Sequence, residues 1–306
     1  MLSKIEQNLL KETTGIHEVP QGAYSLRING KLEGKNSSEN IEIVSKEDKP
    51  GIDIYIKPGT KNESVHLPVL LSSTGLKELV YNDFHIGEDC DVTIVAGCGI
   101  HNSGEKDSEH SGVHSFYVGK NAKLKYIEKH YGDGNGQGKR LMNPVTHIEL
   151  DSNAYMEMET AQIKGVDNTV RTTTAIIEDG ATLVVGEKIM THNDQYAETR
   201  FEVDLKGENS GAHVVSRSVA RDSSKQLFLS KICGNNACSG HTECDAIIMD
   251  NASVSAIPEI LANHIDAQLI HEAAIGKIAG EQLIKLMTLG LTEKEAEEEI
   301  INGFLK

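Results

Sequence analysis

Hydrophobic and polar positions follow two rhythms along this chain. At both ends they recur at helical spacing. Ser3 followed by Glu6 forms a capping box ahead of Leu9 and Leu10, which predicts a short N-terminal helix. Thr292 with Glu295 forms a second box. Behind it Ala296, Ile300, Ile301 and Phe304 recur at helical spacing, while Glu293, Glu297, Glu298 and Glu299 fill the other faces. A preceding helix over about residues 280–289 stops at Gly290, so residues from about 274 to 306 read as a helical hairpin.

Between about residues 60 and 272 the rhythm is alternation with period two, in short runs entered through polar turns. A loose unit recurs: turn residues, a small residue, any residue, then an aliphatic. It reads Cys90-Asp91-Val92, Ala122-Lys123-Leu124, Ala154-Tyr155-Met156, Ala181-Thr182-Leu183 and Ala212-His213-Val214, with starts 32, 32, 27 and 31 residues apart. Ala252-Ser253-Val254 and Ala267-Gln268-Leu269 close the series. A period near 30 predicts stacked coils of a mainly-β solenoid, with a β-sandwich as the alternative. The expected division is a small helical or mixed segment over residues 1–60, a solenoid core over 61–272 and a helical hairpin over 273–306. The helical ends could cap the solenoid, and the apolar stripe of the C-terminal pair equally suits a docking surface.

Composition sharpens this. Aromatics make up 4% of the 306 residues and Trp is absent, which predicts a core built from aliphatics. The formal net charge of −16 argues against nucleic acid or an anionic membrane as a partner. No stretch approaches a membrane span, and the first residues lack a signal-peptide pattern, so the expected compartment is the cytoplasm. There the five Cys are expected as thiols.

Candidate chemistry is densest in Cys233-Gly-Asn-Asn-Ala-Cys238-Ser-Gly-His241-Thr-Glu-Cys244. Three thiols and an imidazole suggest a soft metal. The spacing does not suit a zinc finger, and in an extended strand Cys238 and Cys244 would stand about 20 Å apart unless the chain bends at Ser239-Gly240. Cys244 also shares a strand face with Thr242, Ala246 and Ile248, so a core thiol is equally readable. In Ile265–Ala273, alternation puts His271 on the side of Ala267 and Leu269 and Glu272 on the other. Cys98 and His101, with His110 and His114 after a polar segment, form a second cluster, read as a solvated loop or a metal site. Gly132-Asp-Gly-Asn-Gly-Gln-Gly138 lacks the end of a phosphate loop and reads as a flexible connection.

The last 65 or so residues resemble the SufB/SufD family of iron–sulfur assembly proteins. The matching text is His241-Thr-Glu-Cys-Asp-Ala-Ile-Ile, Ile257-Pro-Glu-Ile, His271-Glu-Ala-Ala-Ile-Gly-Lys-Ile, Gln282 to Ala296 and Ile301-Asn-Gly-Phe. Looser similarity reaches back to about residue 75, including Tyr126 to Gly136. The chain resembles the short, minimal form of that family (SmsB), which pairs with itself.

The resemblance implies a right-handed parallel β-helix with helical N- and C-terminal parts. It implies a scaffold without enzymatic activity of its own, carrying a transient iron–sulfur cluster for acceptor proteins. A separate SufC-like (SmsC-like) ABC ATPase would bind the C-terminal helices. Carried over residue by residue, it marks Cys244 as sulfur acceptor and cluster ligand and His271 and Glu272 as interface contributors, with Cys238 and His241 second. The additional Cys-rich stretch that SufB commonly carries is not found, which leaves its sulfur route without a match. A polysaccharide-active β-helix enzyme and an ATPase adaptor with inert thiols are the alternatives. Few aromatics weigh against the enzyme.

Overall fold

The computed structural model describes residues 2–306. Helix α1 (Lys4–Thr14) opens the chain and carries the capping box expected at Ser3 and Glu6. Then follow β1 (Ala23–Ile28), β2 (Lys31–Asn36), β3 (Ile41–Ser45), β4 (Gly51–Ile56), β5 (Lys61–Leu71), β6 (Lys77–Ile86), β7 (Asp91–His101), β8 (Ser108–Val118) and β9 (Lys123–Asp133). The series continues with β10 (Arg140–Met142), β11 (Val145–Leu150), β12 (Tyr155–Lys164), β13 (Asn168–Ile177), β14 (Thr182–Thr191), β15 (Tyr196–Leu205) and β16 (Gly211–Ala220). It ends with β17 (Lys225–Gly234), β18 (Ser239–Ile248), β19 (Ser253–Ala262), β20 (Gln268–Gly276), α2 (Gly280–Met287) and α3 (Glu293–Phe304).

From β4 onward the strands alternate between two sheets, with β10 and β11 together taking one turn in the second. The first runs β2-β1-β5-β7-β9-β12-β14-β16-β18-β20 and the second β19-β17-β15-β13-β10-β8-β6-β4-β3, with β11 also joining β8 and β13. All pairings from β4 to β20 are parallel, which makes a β-solenoid and rules out the antiparallel sandwich. Among the described residues no helix is long and apolar enough to cross a membrane.

The turns before β18 and β20 hold no left-handed residue, whereas those that lead into β7, β9, β12, β14 and β16 each have one such position. Asp89, Asn121 and Asn153 fill it with φ of 56–58°, and Gly180 with φ 65°. Asx residues tolerate that region, which explains the polar turns. The next residue packs inward and is small: the register stacks Cys90, Ala122, Ala154, Ala181, Ser210, Cys238 and Ala267 in one column. The structure therefore corrects the sequence reading at the fifth coil, where the slot holds Ser210 and not Ala212.

The interior is apolar along the side of these turns, where Leu124, Met156, Leu183 and Val214 meet Phe116, Ile148, Val203 and Ile232. Aromatics are few but concentrated there: Phe84 stacks on Phe116 with centroids 4.4 Å apart, and Phe201 meets Phe228. The expectation of an aliphatic-only core is thus too strict. Helix α1 lies over β5, β7 and β9, on the face rather than the end. Gly97 permits this, since a Cβ there would stand 2.6 Å from the Thr14 side chain. The glycine run after β9 is a close stack of two loops. Gly138 donates its N–H to the Gly104 carbonyl at 2.9 Å, and a Cβ at Gly138 would fall 2.2 Å from the Lys106 oxygen. It is a packed element, not the flexible connection expected.

Candidate functional site

Parallel register makes columns, and one column through the first sheet turns from apolar to polar inside the solenoid. It runs Leu67, Ala96, Glu128, Thr160, Glu187, Ser216, Cys244 and Ala273. Glu128 and Glu187 are buried and bridged by the buried Arg171 of the facing sheet, which pairs with Glu128 and lies 3.7 Å from Glu187 Oε1. The Tyr126 hydroxyl donates to Glu128 at 3.1 Å, while Thr199 and Ser216 donate to Glu187 at 2.9 and 2.7 Å. Burial pushes the Glu128 carboxyl up, but Arg171 and His130 outweigh it and hold it well below the usual range. At Glu187 burial wins over Arg171 and the hydroxyl donors, and its carboxyl is raised. A buried charge needs such partners, because an unpaired one costs several kcal/mol.

Cys244 continues this column one coil beyond Ser216. It is 1% exposed and lines a small interior cavity of about 10 Å³ with Glu187, Thr199, Ser216 and Phe228. Burial, with smaller effects from Glu187 and Asp245, pushes its thiol up to about 12. In the isolated chain it is a neutral thiol, and it gains the nucleophilicity and metal affinity of a thiolate only by losing that proton. The residue in register on the edge strand β20 is Ala273, which is exposed.

The expected site residues divide between the two faces of the sheet. Cys244 and His271 share the inner face, where His271 Nδ1 hydrogen-bonds the buried Thr242 hydroxyl at 2.6 Å. His241 and Glu272 meet on the outer face, Nε2 to Oε2 at 3.4 Å. Cys238 sits in the small-residue turn slot, buried, and β18 runs from Ser239 without the bend that would bring it to Cys244. Cys233 is half-buried on β17 of the other sheet. The three thiols of the dense segment therefore do not converge.

The second cluster is also rearranged. His110 and His114 are buried strand residues of β8, not part of a solvated loop, which spans only residues 102–107. His110 Nδ1 lies 3.5 Å from Glu78 Oε2, and Cys98 stands in register with His130. Glu128, Arg171 and Glu187 went unmarked in the sequence. The signal was present: in Leu124-Lys-Tyr-Ile-Glu-Lys-His130, strict alternation puts Glu128 on the face of Leu124 and Tyr126. A groove of about 630 Å³ lies on the earlier coils, lined by Tyr55, His85, Tyr117 and Glu149. It shares no residue with the Cys244 column.

Residues 79–304 match the family described as SUF system FeS cluster assembly, SufBD core domain. The chain belongs to the SufBD family of iron–sulfur cluster assembly proteins. An iron–sulfur cluster assembly SufBD family protein of Pyrococcus horikoshii is 31% identical over 281 residues, covering 90% of this chain and 84% of that protein. One from Archaeoglobus fulgidus is 29% identical over 278 residues, covering 90% and 73%. Iron–sulfur cluster assembly protein SufB of Bacillus subtilis is 27% identical over 267 residues, covering 84% of this chain and 55% of its own length. Against the SufBD background, the Cys244 end of the solenoid is where the residues expected from the family resemblance lie.

Proposed function

We propose that this SufBD chain is a scaffold that holds a nascent iron–sulfur cluster at the open C-terminal end of its solenoid. Cys244 is the central ligand and His271 stands with it on the inner face; Glu272, which projects from the outer face of the same edge strand, would join them around the open edge, and His241 and Cys238 rank behind them. The observation that carries this reading is the place of Cys244: its thiol lies one strand inside an unpaired edge, beneath exposed Ala273, with His271 on the edge strand itself.

The donor set fits a cargo that must leave. A thiolate is a soft ligand for iron, and imidazole and carboxylate complete a site without the permanence of four thiolates. Binding must displace the thiol proton of Cys244, and the metal supplies the driving force for that. A second copy of the chain, facing the first across the β19 and β20 edges, would double the donor set and pair the free ladder groups. Acceptor proteins would then take the cluster.

A SufC-like ABC ATPase docks, in this reading, on the C-terminal helices. Helix α2 and the turn after it leave Ile284, Met287 and Leu289 exposed, Leu289 by 76%. Deleting residues 280–306 should abolish co-purification with that ATPase while the strand core stays folded. For the scaffold itself, the test is anaerobic reconstitution of the full chain with iron and sulfide, followed by gel filtration. Iron and sulfide that co-elute in equal amounts support it. A protein peak free of both would refute the scaffold and favour an adaptor with inert thiols.

A further inference from the structure

The outer face of the same sheet carries a second group of metal-ligating side chains, with its back to Cys244. Parallel register places His213 on β16 beside His241 on β18, ring centroids 5.0 Å apart. It places Glu243 on β18 beside Glu272 on β20. One ligand atom each from His241, Glu243 and Glu272 lies within 4.8 Å of the others. The His241 Nε2 atom is shielded from solvent, has no hydrogen-bond partner, and faces Glu272 Oε2 at 3.4 Å. A polar nitrogen left in that state calls for a partner.

We infer that His241, Glu243 and Glu272, with His213 as the adjacent donor, form a binding site for one divalent transition-metal ion, distinct from the Cys244 thiol. Metal–ligand bonds of about 2.0–2.2 Å put tetrahedral donors roughly 3.4 Å apart, so the group needs only a modest contraction. One or two imidazoles and two carboxylates select a borderline cation such as Fe²⁺, Mn²⁺, Co²⁺ or Zn²⁺ over Mg²⁺ or Ca²⁺. The electrostatics favour occupation. Asp245 stands two residues along β18 on the same face as Glu243, so the carboxylates of Glu243, Asp245 and Glu272 crowd one outer patch. A cation relieves that crowding. Arg217 stands in register with Asp245, one column away, and compensates only part of the negative charge.

That the physiological ion is Fe²⁺ rests on the scaffold reading; the site does not. Ferrous iron held on the outer face of the edge coil would reach the thiol by crossing a single edge strand. The site would thus separate iron loading from cluster holding, with Glu272 shared between the two.

The probe is Co²⁺, added anaerobically to the full-length protein and followed by visible absorption and calorimetry. One Co²⁺ per chain is expected, with ligand-field bands and no sulfur-to-cobalt charge transfer. Cys244→Ser should leave this binding unchanged. The double variant His241→Ala with Glu243→Gln should weaken it by about tenfold or more, at least the scale of losing an outer-shell partner of a metal site. His213→Ala should weaken it less. These side chains face outward, so folding is checked by an unchanged thermal midpoint. Loss of binding in Cys244→Ser, a sulfur charge-transfer band, or undiminished affinity in the double variant would each overturn the inference. Reconstituted cluster that survives while Co²⁺ fails to bind would overturn the outer site alone and leave the scaffold reading intact.

Discussion

The two ends of the solenoid are built to opposite plans. At the N-terminal end each sheet finishes in a strand that reverses direction: β2 pairs antiparallel with β1, and β3 with β4. The core residues there are sealed, with Ile41 and Ile54 fully buried. At the C-terminal end the sheets stop at β19 and β20, both in parallel register, and no described strand follows on either edge. Ile257 and Ile270 are each 55% exposed there. An edge closed by a hairpin is finished, while a parallel edge with apolar residues is a template for another chain. The candidate ligands gather at the unfinished end.

Substitution with charge should separate the two ends most sharply. Ile41→Asp places an unpaired carboxylate in a sealed core and should unfold the protein, since such burial costs several kcal/mol. Ile260→Asp, on the opposite edge strand β19 of the same sheet and 41% exposed, should leave the thermal midpoint within a few degrees. It should convert a homodimer to a monomer by light scattering. A wild-type monomer at micromolar concentration, or an Ile260→Asp protein that still dimerises, would break the comparison.

The closed interior between the ends should respond next. Glu128→Gln leaves Arg171 short of one buried partner and should cost about 3–5 kcal/mol at neutral pH. The folded-state carboxyl of Glu128 is depressed below its unfolded value of 4.5, so the stability it contributes is present above that pH and is lost as the pH falls further. The gap between wild type and variant in urea melts should therefore narrow below about pH 4.5. A gap independent of pH would show that Glu128 is not ionised in the fold.

The smallest effect is expected in the turn column. Cys238 occupies a slot that takes Ala at positions 122, 154, 181 and 267. Cys238→Ala should thus change stability by less than about 1 kcal/mol. It should also keep most of the iron retained by the wild type. Loss of that iron would move Cys238 into the first rank of ligands.

The coil architecture was legible because its signals are local. A small residue recurs at each entry to the first sheet, and in five successive coils a left-handed Asn, Asp or Gly precedes it. Two units are misplaced: Ala252-Ser253-Val254 enters β19 of the second sheet, and Ala212 lies two residues past its slot for a physical reason. The turn between Leu205 and Ser210 is one residue longer than that between Ile177 and Ala181, and Ala212-His-Val214 happens to imitate the unit. The candidate site was legible only in part. His271 and Glu272 fall on opposite faces as alternation requires. The approach of His241 to Glu272, or of Arg171 to Glu128, depends on register between coils, and no local pattern encodes that register. The spacing of Cys233, Cys238 and Cys244 suggests one cluster, but Cys233 lies on the second sheet while Cys238 and Cys244, both interior, are held apart at the turn and six residues along the first-sheet strand.

The central claim is that Cys244 holds the cluster at the open end, and one paired measurement tests it. Wild type and Cys244→Ser are reconstituted anaerobically, iron and sulfide are counted after gel filtration, and thermal midpoints are recorded. Ser nearly preserves the volume but is a poor iron ligand, and Glu187 and Ser216 line the same cavity to receive its hydroxyl. Iron and sulfide near background are expected, with the midpoint within a few degrees of wild type. Iron and sulfide at the wild-type level in folded Cys244→Ser would contradict it.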